Sequence, residues 1–169
     1  MRIALKWALP LLILAMLFYL IKGFTNTLSH KQKTAKRIQT LPAFTAYGLD
    51  SSAIDITALA NHPIVFVYFD PDCDHCQREA HELRQKAALL NKAHVLMLSA
   101  APVSDLKNFT QTYQLTKLPN VQVAHIDRKV AYETFGFSSV PDVLIYRANG
   151  SLVKHFRGKT GIEAIAKYF

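Results

Sequence analysis

The chain has 169 residues, a formal net charge of +8, two cysteines and 50% hydrophobic residues. Charged residues at 19% beside that apolar content exclude a disordered chain, and two cysteines exclude a disulfide-rich scaffold and a four-cysteine zinc ribbon. The basic character is local: residues 1–39 carry seven Lys/Arg and no Asp or Glu (+7), whereas residues 40–169 carry thirteen against twelve (+1). A nucleic-acid-binding domain spreads basic residues over a folded face; this one does not, so nucleic acid is not expected as a partner.

Residues 7–21 read WALPLLILAMLFYLI, fifteen residues without a charge, bounded by Lys6 and Lys22. A bilayer span needs about 20 residues. Counting from Ile3 to Phe24 reaches that length if both lysines snorkel to the headgroups. Trp7 and Tyr19 sit near the ends, where amphipathic rings collect. Residues 1–24 are therefore expected to be a signal anchor that spans the membrane as one helix. A cleaved signal peptide is the rival reading, although no clean A-x-A site follows. Residues 25–41 are polar and basic and read as a juxtamembrane linker. The positive-inside count sets three positive groups before the run against five after it, which taken alone puts the following domain in the cytoplasm.

The domain is expected over 42–169. Segments 43–47 and 53–56 are short strand candidates around a Gly-Leu-Asp-Ser-Ser turn. Residues 64–69, IVFVYF, form a continuous apolar run of β-formers and suit a central strand covered on both faces. Cys76, Ala80, Leu83, Ala87 and Leu90 then recur at helical spacing, with Arg78, Glu82, Gln85 and Lys86 opposite. A second buried strand is predicted over 94–99 and a helix over 104–113, with Ser104 as its cap. A strand at 121–126 and a short helix at 129–135 follow, the helix closed by Gly136. Strands at 142–147 and 151–157 flank an Asn-Gly turn, a strong hairpin signal, and a last helix is predicted over 162–169. Strands alternating with helices, then a hairpin and a helix, imply an α/β fold with a mixed central sheet flanked by helices.

Both cysteines fall in one motif, Cys73-Asp74-His75-Cys76, which follows the central strand and opens a helix. Cys73 is placed at the helix N-terminus, where free backbone N–H groups and the dipole favour a thiolate. Cys76 lies on the apolar face. This pattern points to Cys73 as the attacking thiolate and Cys76 as the resolving thiol. Two inert cysteines, or a soft metal such as Cu(I) held by Cys73, Cys76 and a histidine, remain open at this point. The other histidines show no ligand spacing.

The run FVYFDPDCDHCQRE, Phe66 to Glu79, resembles the thioredoxin-like superfamily, and within it the membrane-anchored thiol–disulfide oxidoreductases of the TlpA and redoxin type. The resemblance extends over about residues 42–169. It includes an N-terminal hairpin over Phe44 to Leu59, Ser138-Ser139-Val140-Pro141-Asp142-Val143 as a cis-proline loop whose Pro141 lies 65 residues after Cys76, and Gly158 before the last helix. It implies a thioredoxin fold and a substrate strand that pairs with the backbone at Val140 beside Pro141. It also implies that Glu79 accepts or relays a proton during exchange. Two departures stand out. Asp72 replaces the usual tryptophan before the first cysteine, and Val67 occupies the place of a buried Asp, which leaves Glu79 as the nearby proton acceptor. Asp74 and His75 are expected to tune the couple in opposite senses: a protonated His75 stabilises the Cys73 thiolate, while Asp70, Asp72 and Asp74 repel it.

The resulting expectation is a membrane-anchored oxidoreductase that exchanges disulfides with protein clients and needs no cofactor and no metal. A transmembrane electron donor or a thioredoxin-type partner would recharge it. The resemblance implies a bacterial inner-membrane location with the domain facing the periplasm, against the charge count. Two other readings stay open: a Cu(I)-binding metallochaperone-like module, and a non-catalytic thioredoxin-like adaptor. A peroxidase reading lacks the Thr before Cys73, and a copper-chaperone motif of the SCO type wants three residues between the cysteines, not two.

Overall fold

The structure, a computed structural model, describes residues 2–59 and 62–169. Helix α1 spans Arg2–Arg37. It runs on through most of the segment read as a polar linker, because residues 25–37 contain neither Gly nor Pro and are rich in helix formers. The side chains of residues 2–11, 13, 15, 26, 27 and 30 lie outside the description. Part of what the anchor expectation rests on, the side chains of Lys6 and Trp7 included, therefore falls outside the described residues. Among the described residues no helix is long and apolar enough to cross a membrane. Those side chains of the segment that are described, from Leu12 to Phe24, are exposed.

The second compact unit, Arg37–Phe169, is built on a six-stranded mixed sheet. Its strands are β1 (Tyr47–Gly48), β2 (Ile64–Tyr68), β3 (His94–Ser99), β4 (Val121–His125), β5 (Asp142–Tyr146) and β6 (Leu152–Arg157), in the order β1-β4-β3-β2-β5-β6. The helices are α2 (Asp74–Lys86), α3 (Val103–Thr112), α4 (Arg128–Phe135) and α5 (Ile162–Ala166). β2 lies parallel to β3 and antiparallel to β5. Every residue of β2 is buried, so its side chains alternate between two cores. Val65, Val67 and Phe69 join Cys76, Ala80 and Leu83 of α2, Leu106 and Phe109 of α3, and Ile162 and Ile165 of α5. Ile64, Phe66 and Tyr68 join Ala131 and Phe135 of α4 together with Phe137 and Ile38. At about 25 cal/mol per Å² of apolar area removed from water, these two layers dominate the stability of the unit.

Local signals set the element ends. Asp127 caps α4 through its carboxylate, which accepts from the N–H groups of Lys129 and Val130. Gly136 closes that helix in the left-handed region, at φ +74°. Gly150 turns the β5–β6 hairpin at φ +77°. Ser104 is not the cap of α3: the helix starts one residue earlier behind Pro102, and the Ser104 hydroxyl donates to Asp105 instead. The N-terminal hairpin also differs from expectation. Asp50 holds the turn by accepting from the N–H and hydroxyl of Ser52, but the ladder shrinks to one bridge, Tyr47 to Ala53. On its other edge this segment pairs with β4, Tyr47 and Gly48 standing opposite His125 and Ala124. Residues Ile56–Leu59 then turn into a 3-10 helix rather than a strand.

The chain just after α1 is part of this unit. Ile38 is buried, Thr40 bridges to Ser151, and the Leu41 N–H donates to Gly150. The buried Tyr146 hydroxyl donates to the Ile38 carbonyl at 3.0 Å. Tyr146→Phe would leave that carbonyl unsatisfied. It is expected to cost about 1–2 kcal/mol, read as a lower urea midpoint with an unchanged slope.

Candidate active site

Strand β2 delivers the chain to the site. Asp70 to Asp72 form a tight turn in which the Cys73 N–H donates to the Asp70 carbonyl and the Asp72 N–H to the Asp70 carboxylate. The Asp70 side chain is thus tied into the turn. The Gln77 side chain reinforces it, donating to the Pro71 carbonyl at 2.8 Å. Cys73 is the N-cap residue of α2, with extended φ and ψ and no side-chain capping bond. Its thiol is therefore not consumed by the helix end it sits on.

Both cysteines are free thiols, Cys73 half-buried and Cys76 buried at 1% exposure. The two side chains are within hydrogen-bonding reach of each other. Burial pushes the Cys76 thiol strongly up, and its hydrogen bond to Cys73 and the charges of Cys73 and Glu79 add to that. One turn further, Glu79 is 5% exposed, and neither carboxylate oxygen has a hydrogen-bond partner within the protein. Burial, with a smaller push from Glu82, raises the Glu79 carboxyl to about 8. The helix thus sets a half-buried thiol, a buried thiol and a buried carboxyl along successive turns.

Asp74 and His75 are exposed. Nδ1 of His75 lies 2.7 Å from the Arg78 guanidinium. A guanidinium only donates, so Nδ1 is the acceptor in this contact. Among the described residues no group of three or more His, Cys, Asp or Glu side chains is gathered as metal ligands. The three-ligand set that the copper reading requires does not form there.

The second half of the site comes from β5. Because β5 runs antiparallel to β2 with Tyr68 opposite Asp142, the start of β5 lies beside the end of β2, where Cys73 follows. The Val140–Pro141 peptide bond is cis. Pro141 is buried, its carbonyl accepts from the Gly158 N–H at 2.9 Å, and Val140 packs against the same apolar cluster as Cys73. Next to this loop opens a cleft of about 340 Å³, lined among others by Tyr68, Asp70, Arg128, Phe137, Ser139 and Val140. Tyr68 and Phe137 stack in its wall at 4.7 Å. Sequence reading missed one polar feature at this end: the Asp142 carboxylate is bonded to Nε2 of His155 at 2.6 Å across β5 and β6. The signal was available only in the hairpin register. The Asn-Gly turn sets Asp142 opposite Arg157, which makes His155 its diagonal neighbour on the same face.

A mixed sheet with a two-cysteine turn at the end of its central strand and a cis-proline at the start of the neighbouring strand defines a thioredoxin-fold protein. Residues 50–169 match the family of the thioredoxin-like domain, and the chain belongs to that family. Over 113 residues it is 27% identical to a protein disulfide-isomerase of Triticum aestivum, a match covering 66% of this chain and 18% of that protein. The chain thus spans about a fifth of the curated relative's length. A secreted Mycobacterium tuberculosis disulfide oxidoreductase homologous to E. coli DsbE superposes with a TM-score of 0.62 at 24% identity, over 78% of this chain and 95% of that one. Mycobacterium tuberculosis DsbF gives 0.65 at 20% identity, over 78% and 92%. At these identities the likeness is one of fold.

The raised Glu79 carboxyl has a thermodynamic consequence. An acid whose folded-state value lies above its unfolded one binds its proton more tightly when folded. Stability is then greatest below the ordinary value of 4.5 and falls as pH rises toward 8. Glu79→Gln removes this loss. It is expected to gain on the order of 2 kcal/mol over the native chain at pH 8 and little at pH 4.5, read from urea unfolding at both pH values. Parallel profiles for the two proteins would contradict the buried, raised carboxyl.

Proposed function

We propose that the chain is a membrane-anchored thiol–disulfide oxidoreductase acting on protein clients. The observation that carries the reading is the half-buried Cys73 thiol at the start of α2 within hydrogen-bonding reach of the buried Cys76 thiol. The Cys73 thiolate attacks one sulfur of a client disulfide. The client S–S bond breaks, a mixed disulfide forms at Cys73, and the first client thiolate leaves. Glu79, as carboxylate, takes the proton from Cys76. Cys76 then attacks the Cys73 sulfur and expels the second client thiolate. Two electrons have passed to the client, and the Cys73–Cys76 disulfide remains. Run backwards, the same steps oxidise a client dithiol.

Each group has one task in this sequence. Burial keeps Cys76 protonated until a base acts, so the mixed disulfide lives long enough for the client to be engaged. A carboxyl raised to about 8 is matched to that base role near neutral pH. The backbone at Val140, beside the cis Pro141, lies at the end of the sheet where an extended client segment can add. Asp74 and His75, both exposed beside the cysteines, adjust the couple. Oxidised protein is recharged by a transmembrane electron donor or a thioredoxin-type partner, with no organic cofactor.

The anchor reading rests on the uncharged run 7–21 with flanking Lys6 and Lys22 and on the exposure of the described apolar side chains between Leu12 and Phe24. We place the domain on the periplasmic side of a bacterial inner membrane, following the resemblance to the TlpA type rather than the linker charges. A C-terminal reporter active only in the cytoplasm would reverse this orientation.

The direct test is trapping. Cys76→Ser should accumulate a covalent mixed disulfide with client protein through Cys73, stable without reductant and cleaved by it. Cys73→Ser should abolish all such adducts. Adducts that survive Cys73→Ser, or an adaptor function that does, would overturn the reading.

A further inference from the structure

Asp142 is an unusual residue for its place. It follows Pro141 directly, opens a strand that is buried along its length, and shares a face with Leu144 and Tyr146 of the second core. Its side chain is 3% exposed and that of His155 17%. Burying a carboxyl is costly unless it is hydrogen-bonded, and Asp142, unlike Glu79, has a partner. Its partner is Nε2 of His155, at 2.6 Å. In the ladder, Asp142 stands opposite Tyr68 of β2 and Arg157 of β6. Arg157 is exposed, whereas the bond to His155 runs inside the sheet face.

Two ties therefore converge on the residues flanking the cis peptide. The Gly158 N–H holds the Pro141 carbonyl at 2.9 Å, and His155 holds the next side chain in the chain. Both ties come from β6 or the residue just after it. Neither Asp142 nor His155 lies among the residues lining the cleft, and neither is needed for the proton and electron steps above. What the ties fix is the path of the backbone through Val140.

We infer that the Asp142–His155 pair is a positioning device for client recognition: it holds the Val140–Pro141 loop in register for an incoming extended client segment. The inference rests on the thiol–disulfide reading above. It adds that the loop already assigned to client pairing is braced from β6, through Asp142 and His155. The substrates in question are disulfide-bonded proteins presenting an extended segment, as distinct from small disulfides, which reach Cys73 without using the loop.

The test compares His155→Gln, Asp142→Asn and the double variant with the native full-length chain. Two probes are used, the protein disulfide of insulin and the small disulfide dithionitrobenzoate, and the Cys73–Cys76 midpoint potential is measured for each protein. The expected result is a rise in KM for insulin of roughly tenfold in either single variant, with kcat, the dithionitrobenzoate rate and the potential held within about twofold. The double variant should be no worse than the worse single one, because both substitutions act on the same contact. An equal fall with both probes, a shifted potential, additive losses in the double variant, or an unchanged KM would each overturn the positioning role. If the native chain itself forms no reversible disulfide, the thiol–disulfide reading fails and the positioning role falls with it.

Discussion

Complete burial of β2 is the constraint from which the site follows. Five consecutive β-formers, covered by one core on each face, fix this strand between β3 and β5. A strand buried so thoroughly can expose chemistry only where it ends. The Asp70–Asp72 turn converts that end into the start of α2, and so Cys73 acquires the free end of a helix as its surroundings. The antiparallel neighbour β5 necessarily begins at the same edge, which is why residues 65 apart in sequence, Cys76 and Pro141, belong to one site.

The same burial divides the chemistry between residues. Along α2, side chains three residues apart pass from the surface into the apolar layer: Cys73 is half-buried, while Cys76 and Glu79 are buried. Low polarity around the last two raises both acids together. A carboxyl in water would be ionised at neutral pH and would hold no proton to exchange. Buried here without a protein partner, it retains one up to about pH 8 and, once ionised, is a stronger base than an ordinary carboxylate. The stability given up by burying an unpaired carboxyl is thus tied to the chemistry the site is proposed to perform.

Much of this was legible in the sequence. The apolar run 64–69 and the Asn-Gly turn each carry a strong physical signature and formed where expected, whereas the helical spacing from Cys76 to Leu90 is met by an α-helix only to Lys86, with Ala87–Leu90 tightening into a 3-10 turn. The Val-Pro before a strand was legible because a proline is confined to a few places in a sheet. What failed depended on partners distant in sequence. The hairpin at 43–56 keeps a single bridge, Tyr47 to Ala53, while its first arm also pairs with the edge of β4, a long-range pairing no local pattern reveals. The linker read from its charges continued as helix, because polarity and helix propensity are separate properties. His155 looked idle because its partner lies 13 residues away, across a turn whose register has a bulge between Ile145 and Tyr146. The contact of His75 with Arg78, one turn along the same helix, was likewise not drawn from the sequence.

The central claim is that Cys73 and Cys76 form one reversible two-electron couple. The measurement that tests it most directly is a redox titration of the full-length chain in detergent. Buffers of dithiothreitol and glutathione would set the potential, and alkylation with mass detection would count the thiols. The account predicts a single two-electron transition in which both thiols are lost together, with a midpoint between about −270 and −120 mV, the span from thioredoxin to the strongly oxidising members of the fold. A chain that keeps both thiols free at every potential, or in which Cys73 and Cys76 oxidise independently, would contradict it.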